Sequence, residues 1–194
     1  MIYLLRHGET LWNVAGRLQG QGDSPLTWRG LQQARALGEC LCREIDDLDG
    51  FRLLSSPLGR AWQTAVIVAE ALGWDPQRIA LDARLKERDY GRWAGLTYAQ
   101  VRERYPEDWA RRQDTPWDYR VPGGESSADV AARARGWLES LPHEPRLIVV
   151  CHGQFGRVLR GLYLGLPREE IYRLEEPQDA LFRLHRGRVE RIGA

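Results

Sequence analysis

Two short apolar runs constrain this chain more than any other feature. Ile2-Tyr3-Leu4-Leu5 is stopped by Arg6-His7-Gly8, and Arg146-Leu147-Ile148-Val149-Val150-Cys151 is stopped by His152-Gly153. Each run is continuously apolar and too short for a buried helix, which reads as a strand covered on both faces. A helical pattern follows the second, through Val158, Leu159 and Leu162. Strands that deliver polar residues at their carboxyl ends and then enter helices are the units of an α/β fold with a parallel sheet.

The rest of the chain extends that pattern. Residues 10 to 26 read as a loop ending in Asp23-Ser24-Pro25, and Thr27 as the N-cap of a helix to about Glu44. Phe51 to Leu54 reads as a second strand, with Ser56 as cap and Pro57 as first residue of a helix reaching Ala71. Residues 79 to 82 read as a third strand and 85 to 97 as an irregular stretch. The Trp/Tyr/Arg-rich section 98 to 120 reads as short helices. Pro122-Gly123-Gly124-Glu125-Ser126 opens a helix from about 127 to 141, and the tail reads as a hairpin across Arg186-Gly187. The expected architecture is a three-layer α/β/α sandwich with a mainly parallel central sheet. A single domain, 1 to 194, carries residues 98 to 126 as a small helical cap insertion.

Composition narrows the function classes. The chain holds 43% hydrophobic and 28% charged residues, which is neither a disordered nor a membrane-spanning balance. A formal net charge of +1 argues against a nucleic-acid partner recognised through bulk charge. Cys40, Cys42 and Cys151 lack the spacing of a disulfide framework, and no secretory leader precedes Ile2, so a cytoplasmic location is expected. His7, His143, His152 and His185 show no HxH or HExxH spacing, so neither a metal site nor a cofactor is expected. Lys86 is the single lysine among 28 basic side chains, a skew that fits a GC-rich genome, so only particular arginines need carry function.

In open parallel sheets ligands bind beyond the carboxyl ends of the strands. There this chain places Arg6-His7-Gly8, Ser55-Ser56-Pro57 leading to Arg60, and His152-Gly153. Two guanidiniums and two imidazoles brought together repel one another, and a phosphate dianion relieves that repulsion through charge-assisted hydrogen bonds.

The residues resemble the signature blocks of the histidine phosphatase superfamily, the phosphoglycerate-mutase-like group. The blocks are Leu5-Arg6-His7-Gly8-Glu9-Thr10 with Trp12-Asn13, Gly16-Arg17-Leu18-Gln19-Gly20, Ser55-Ser56-Pro57-Leu58-Gly59-Arg60-Ala61, Leu85-Lys86-Glu87, Gly91-Arg92-Trp93-Ala94-Gly95-Leu96-Thr97, Pro122 to Ser126, and Val149 to Gly153. They stand in family order between residues 2 and about 165. The resemblance implies a phosphomonoester hydrolase acting on a small phosphorylated metabolite. His7 is then the nucleophile that forms a phosphohistidine, and Glu87 the general acid and base, which has to hold a proton near bound phosphate. Arg6, Arg60 and a charged His152 hold the transferring group. Asn13, Gln19 and the backbone N–H groups around Gly20 and Gly153 complete the cradle.

Ala94, Cys151 and Gln154 depart from the family pattern and bear on substrate choice. A mutase is the nearest alternative. Mutases of this superfamily carry a longer insertion than the one that here separates Glu87 from His152. A second alternative rests on Cys151 to Arg157, which matches the C-x5-R spacing of cysteine phosphatases, and a third is a non-catalytic phosphate-binding protein.

Overall fold

The computed structural model describes residues 1–194, and its centre is a six-stranded sheet of order β3-β2-β4-β1-β5-β6. Strands β1 (Ile2–Arg6), β2 (Arg52–Ser55), β3 (Ala80–Leu81) and β4 (Leu147–Cys151) run parallel, β4 lying between β1 and β2. β5 (Ala180–His185) is antiparallel to β1 and forms the expected hairpin with β6 (Arg188–Gly193). The register sets Arg6 beside Cys151 and Ser55 beside Val150. Three strand ends therefore finish side by side.

Because successive strand side chains point to opposite faces, β1 and β4 each feed two cores. Tyr3, Leu5, Ile148 and Val150 face helices α2 (Trp28–Glu44) and α3 (Gly59–Ala71), burying Leu37, Leu41, Ala65 and Val68. Ile2, Leu4, Leu147 and Val149 face α6 (Ser127–Glu139) and α7 (Gly153–Leu164), burying Val130, Trp137, Phe155 and Leu159. The fold is the expected three-layer α/β/α sandwich with a mostly parallel sheet. A third cluster of Leu18, Trp93, Val101 and Val121 packs the short helices α4 (Tyr98–Arg104) and α5 (Pro106–Asp114).

Some boundaries differ from the sequence reading, for local reasons. The 10 to 26 segment contains a helical turn, α1 (Leu11–Val14), closed by a capping box between Thr10 and Asn13. A second turn, α8 (Arg168–Ile171), follows Pro167. Ser56 and Pro57 do not open α3. The helix starts at Gly59 behind Leu58, which offers no side-chain cap. Asp23, brought from the loop before α2, accepts the backbone N–H of Arg60 at 3.2 Å instead. That frees the Ser56 hydroxyl, which accepts the Leu58 N–H at 3.3 Å and meets His152 Nε2 at 2.8 Å.

Candidate active site

His7 follows β1, and its N–H bonds the Cys151 carbonyl at 3.0 Å, continuing the ladder. Gly8 is tied to α3 by its N–H on Thr64 Oγ1 at 3.1 Å, and its carbonyl lies 2.7 Å from His7 Nδ1. A carbonyl accepts only, so Nδ1 carries the proton and Nε2 keeps its lone pair. That lone pair accepts the Nε–H of Arg60 at 3.2 Å. Burial above all, then the guanidiniums of Arg60 and Arg6, hold His7 well below the usual histidine range. The buried ring is therefore neutral at neutral pH.

Arg60 is itself fixed by backbone. Nη1 donates to the Gly22 carbonyl at 2.8 Å and to Asp23 Oδ1 at 3.2 Å, and Nη2 donates to the Gly20 carbonyl at 2.7 Å. Gly20 adopts φ +55°, a left-handed conformation natural for glycine, and so turns its carbonyl toward the guanidinium. Its expected contribution was an N–H; in the structure its carbonyl orients Arg60.

His152 packs 5.2 Å from His7 between ring centroids, with its Nδ1 buried and without a partner. The sequence reading had it charged. Burial first, and then Arg60, His7 and Arg6, push it well below the ordinary value, so it stands neutral in this arrangement. Glu87 accepts three backbone N–H groups: Oε1 takes Arg88 at 2.9 Å and Phe155 at 3.0 Å, and Oε2 takes Gln154 at 3.1 Å. Two of these donors sit in the first turn of α7, whose own N-cap, His152, makes no side-chain cap. The carboxylate thus serves as the helix cap.

Arg6, His7, Asn13, Gln19, Arg60 and Glu87 line one cavity of about 350 Å³, together with Gly20. Asn13 Oδ1 accepts the Thr10 N–H at 3.1 Å and Gln178 Nε2 at 3.1 Å, which leaves its Nδ2 donors unspent. Gln19 is buried with its Oε1 unpaired. His152 and Gly153 adjoin the lining residues: His152 packs on His7 and Gly153 against Arg6. A Cβ on Gly153 would fall 2.5 Å from Glu176 Oε2 and 3.2 Å from Arg6 Cζ, so a larger residue here would push these two side chains aside. Tyr98 from α4 and Arg112 from α5 also line the cavity.

Sequence reasoning missed the segment between α8 and β5. Gln178 Nε2 donates to the His7 carbonyl at 3.2 Å, and Arg6 Nη1 donates to the Glu176 carbonyl. Nothing in residues 173 to 179 alternates or caps. Only the antiparallel return of β5 beside β1 brings them here.

The cysteine alternative fails. Cys151 is 1% exposed, burial pushes its thiol far above the usual range, and its Sγ faces the His152 carbonyl at 3.7 Å. Arg157 turns instead to Glu176 at 3.1 Å. A buried neutral thiol is no nucleophile.

Comparison with known proteins places the chain in a family. A curated relative named "Probable phosphoglycerate mutase GpmB", from Salmonella paratyphi C, is 41% identical over 170 residues, covering 86% of this chain and 75% of the relative. The solved mycobacterial glucosyl-3-phosphoglycerate phosphatase superposes with a TM-score of 0.77 at 31% identity, covering 99% of this chain and 96% of that one. The alpha-ribazole phosphatase of Shigella flexneri shares the fold, with a TM-score of 0.82 at 22% identity over 99% and 94% of the two chains. The sequence profile of the histidine phosphatase superfamily (branch 1) matches residues 2–190, which include every strand-end residue that forms the cavity. With a neutral, lone-pair-bearing His7 held by Arg60 at its centre, the chain belongs to that superfamily.

Proposed function

We propose that this protein is a phosphomonoester hydrolase working through a phosphohistidine at His7, without a metal ion. The observation that carries the reading is the tautomer of His7: Nδ1–H on the Gly8 carbonyl, Nε2 facing the cavity wall beside Arg60. In the first step the Nε2 lone pair attacks phosphorus in line, the P–O bond to the alcohol breaks, and the leaving oxygen takes a proton from Glu87. In the second, water attacks phosphorus and gives its proton to Glu87. The N–P bond breaks, phosphate leaves, and His7 recovers its lone pair. Two displacements through an activated nucleophile replace one difficult attack by water.

Glu87 has one acceptor position to spare for this. Its two oxygens offer about four lone-pair sites, of which backbone N–H groups take three, two on Oε1 and one on Oε2. The proton is carried on Oε2. Arg6, Arg60, Asn13 Nδ2 and the unpartnered His152 Nδ1 supply donors to the equatorial oxygens, with the Ser56 hydroxyl donating to His152 Nε2.

Hydrolysis is favoured over mutase chemistry by the short stretch between Glu87 and His152, in which only α4 and α5 and their loops stand ahead of α6 and β4. The mutase reading has the naming of the Salmonella paratyphi C relative in its favour. Hydrolysis of p-nitrophenyl phosphate in EDTA decides the class. Activity that survives EDTA and Cys151→Ser but not His7→Ala supports the proposal; loss in EDTA refutes metal independence. A panel of phosphorylated metabolites ranked by kcat/KM, with 3-phosphoglycerate isomerisation measured beside it, separates hydrolase from mutase.

A further inference from the structure

Residues 175 to 178 form a strap held at the edge of the pocket. Arg160 Nη2 donates to the Glu175 carbonyl, Arg6 Nη1 to the Glu176 carbonyl, and Gln178 Nε2 to both His7 O and Asn13 Oδ1. One side chain of this strap turns inward. Glu176 lines the same cavity as His7 and Arg60, and its Oε1 lies 3.1 Å from Arg157 Nη1. Its Oε2 occupies the space over Gly153 where a Cβ would stand, on the side on which Arg6 Cζ also packs. A carboxylate therefore already sits among the cations to which an incoming phosphate is drawn.

We propose that the Glu176 carboxylate is the resident counter-anion of this pocket, and that an entering tetrahedral dianion drives one proton from solvent onto it. The inference rests on the reading of the cavity as a phosphate site. Its physical basis is like-charge repulsion. A dianion placed beside Arg6 adds two negative charges next to Glu176, and the cheapest relief is protonation of the carboxylate. The carboxyl is already prepared for this. Burial raises it above the ordinary glutamate value, with Glu87 raising it further, against Arg157, Arg6 and Arg160, which lower it. The groups facing it are thus Arg6 from β1, Arg157 and Arg160 from α7, and Glu87 from the loop after residue 85. Once protonated, Glu176 no longer neutralises Arg157, which becomes available to the anion. The pocket then exchanges one internal negative charge for an external ligand, and anion affinity rises as pH falls.

The probe is sulfate, which stays a dianion from pH 5 to 8. Its binding is followed by titration calorimetry in buffers of different ionisation enthalpy, which counts the protons taken up. His7, His152 and Glu87 are present in every variant, so the difference between variants reports the uptake that depends on the Glu176 charge. Wild-type protein is expected to take up more protons per sulfate than Glu176→Gln, with the difference largest between the free and the sulfate-bound titration of the carboxyl and vanishing at lower pH, where Glu176 is protonated before sulfate enters. At pH 7.5 Glu176→Gln is expected to bind sulfate about tenfold more tightly. Glu176→Ala, which also deletes the charge, must move both readouts in the same direction. Equal proton counts and affinities within twofold, or weaker binding by both variants, overturn the proposal. Labelling of His7 by substrate phosphate is a separate readout. Phosphohydrolysis can stand while sulfate binding ignores Glu176, and the proton linkage can stand in a protein that never labels His7.

Discussion

The Nε–H of Arg60 donates to Nε2 of His7 across 3.2 Å, so the cation that draws phosphate inward also guards the lone pair that would attack it. Arg60 is 1% exposed, and three of its other four N–H groups are held by the carbonyls of Gly20 and Gly22 and by Asp23, which leaves one Nη2–H for an incoming oxygen. A lysine carries the charge but has no planar fork with which to reproduce these bonds. Arg60→Lys should lower kcat/KM for p-nitrophenyl phosphate by about 10² to 10³ fold, the range for losing an oriented transition-state donor. Leaving buried carbonyls unpaired costs about 1 to 3 kcal/mol each. Thermal unfolding should shift down by about 2 to 4 °C per kcal/mol in a chain of this size. Unchanged kinetics in Arg60→Lys would show that charge alone suffices.

Glu87 is expected to matter in proportion to how badly the leaving group needs a proton. Glu87→Gln should reduce hydrolysis of an alkyl phosphate by about 10² to 10⁴ fold and of p-nitrophenyl phosphate by far less, because p-nitrophenolate leaves without protonation. The single amide oxygen can keep the Arg88 and Phe155 N–H groups, but the NH2 then faces the Gln154 N–H, so a loss of about 1 to 3 kcal/mol in stability is expected alongside the kinetic effect. An equal loss on both substrates would assign Glu87 to capping α7 and not to proton transfer.

Much of this site was legible because its residues stand next to strongly patterned strands. Arg6, His7 and His152 follow apolar runs whose burial on both faces forces them to the sheet's carboxyl edge, and the structure confirms the strand neighbours that bring them together. Asp23 was illegible as the surrogate cap of α3, since no local spacing relates it to Gly59 and Arg60. The same holds for Gln178 and Glu176, which reach the pocket only because β5 returns antiparallel to β1. The neutral state of His152 was misread for a related reason. Counting nearby guanidiniums from sequence shows attraction for an anion, but the burial that keeps the ring uncharged exists only after folding.

The pH dependence follows from the two imidazoles. Both are held well below 6.5 in the folded protein, chiefly by burial. Between that lowered value and 6.5 the unfolded chain binds more protons than the native one, so stability rises with pH in this window and is lost as pH falls through it. Each fully buried imidazole contributes about 1.4 kcal/mol per pH unit there. For activity, protonated His7 has no lone pair, so kcat/KM on the free enzyme should fall only below pH 6.5, as the pH approaches the lowered His7 value. Urea unfolding midpoints and kcat/KM from pH 4 to 8 test both statements. An acid limb centred at or above 6.5 would contradict the neutral His7.

The central claim is that His7 Nε2 becomes covalently phosphorylated, and alkali-quenched rapid mixing with ³²P-labelled substrate tests it most directly. The account predicts label that is stable in base, lost in acid, located on the peptide containing His7, and absent from His7→Ala, while Cys151→Ser labels normally. Label on any other residue, or full turnover by His7→Ala, would contradict it.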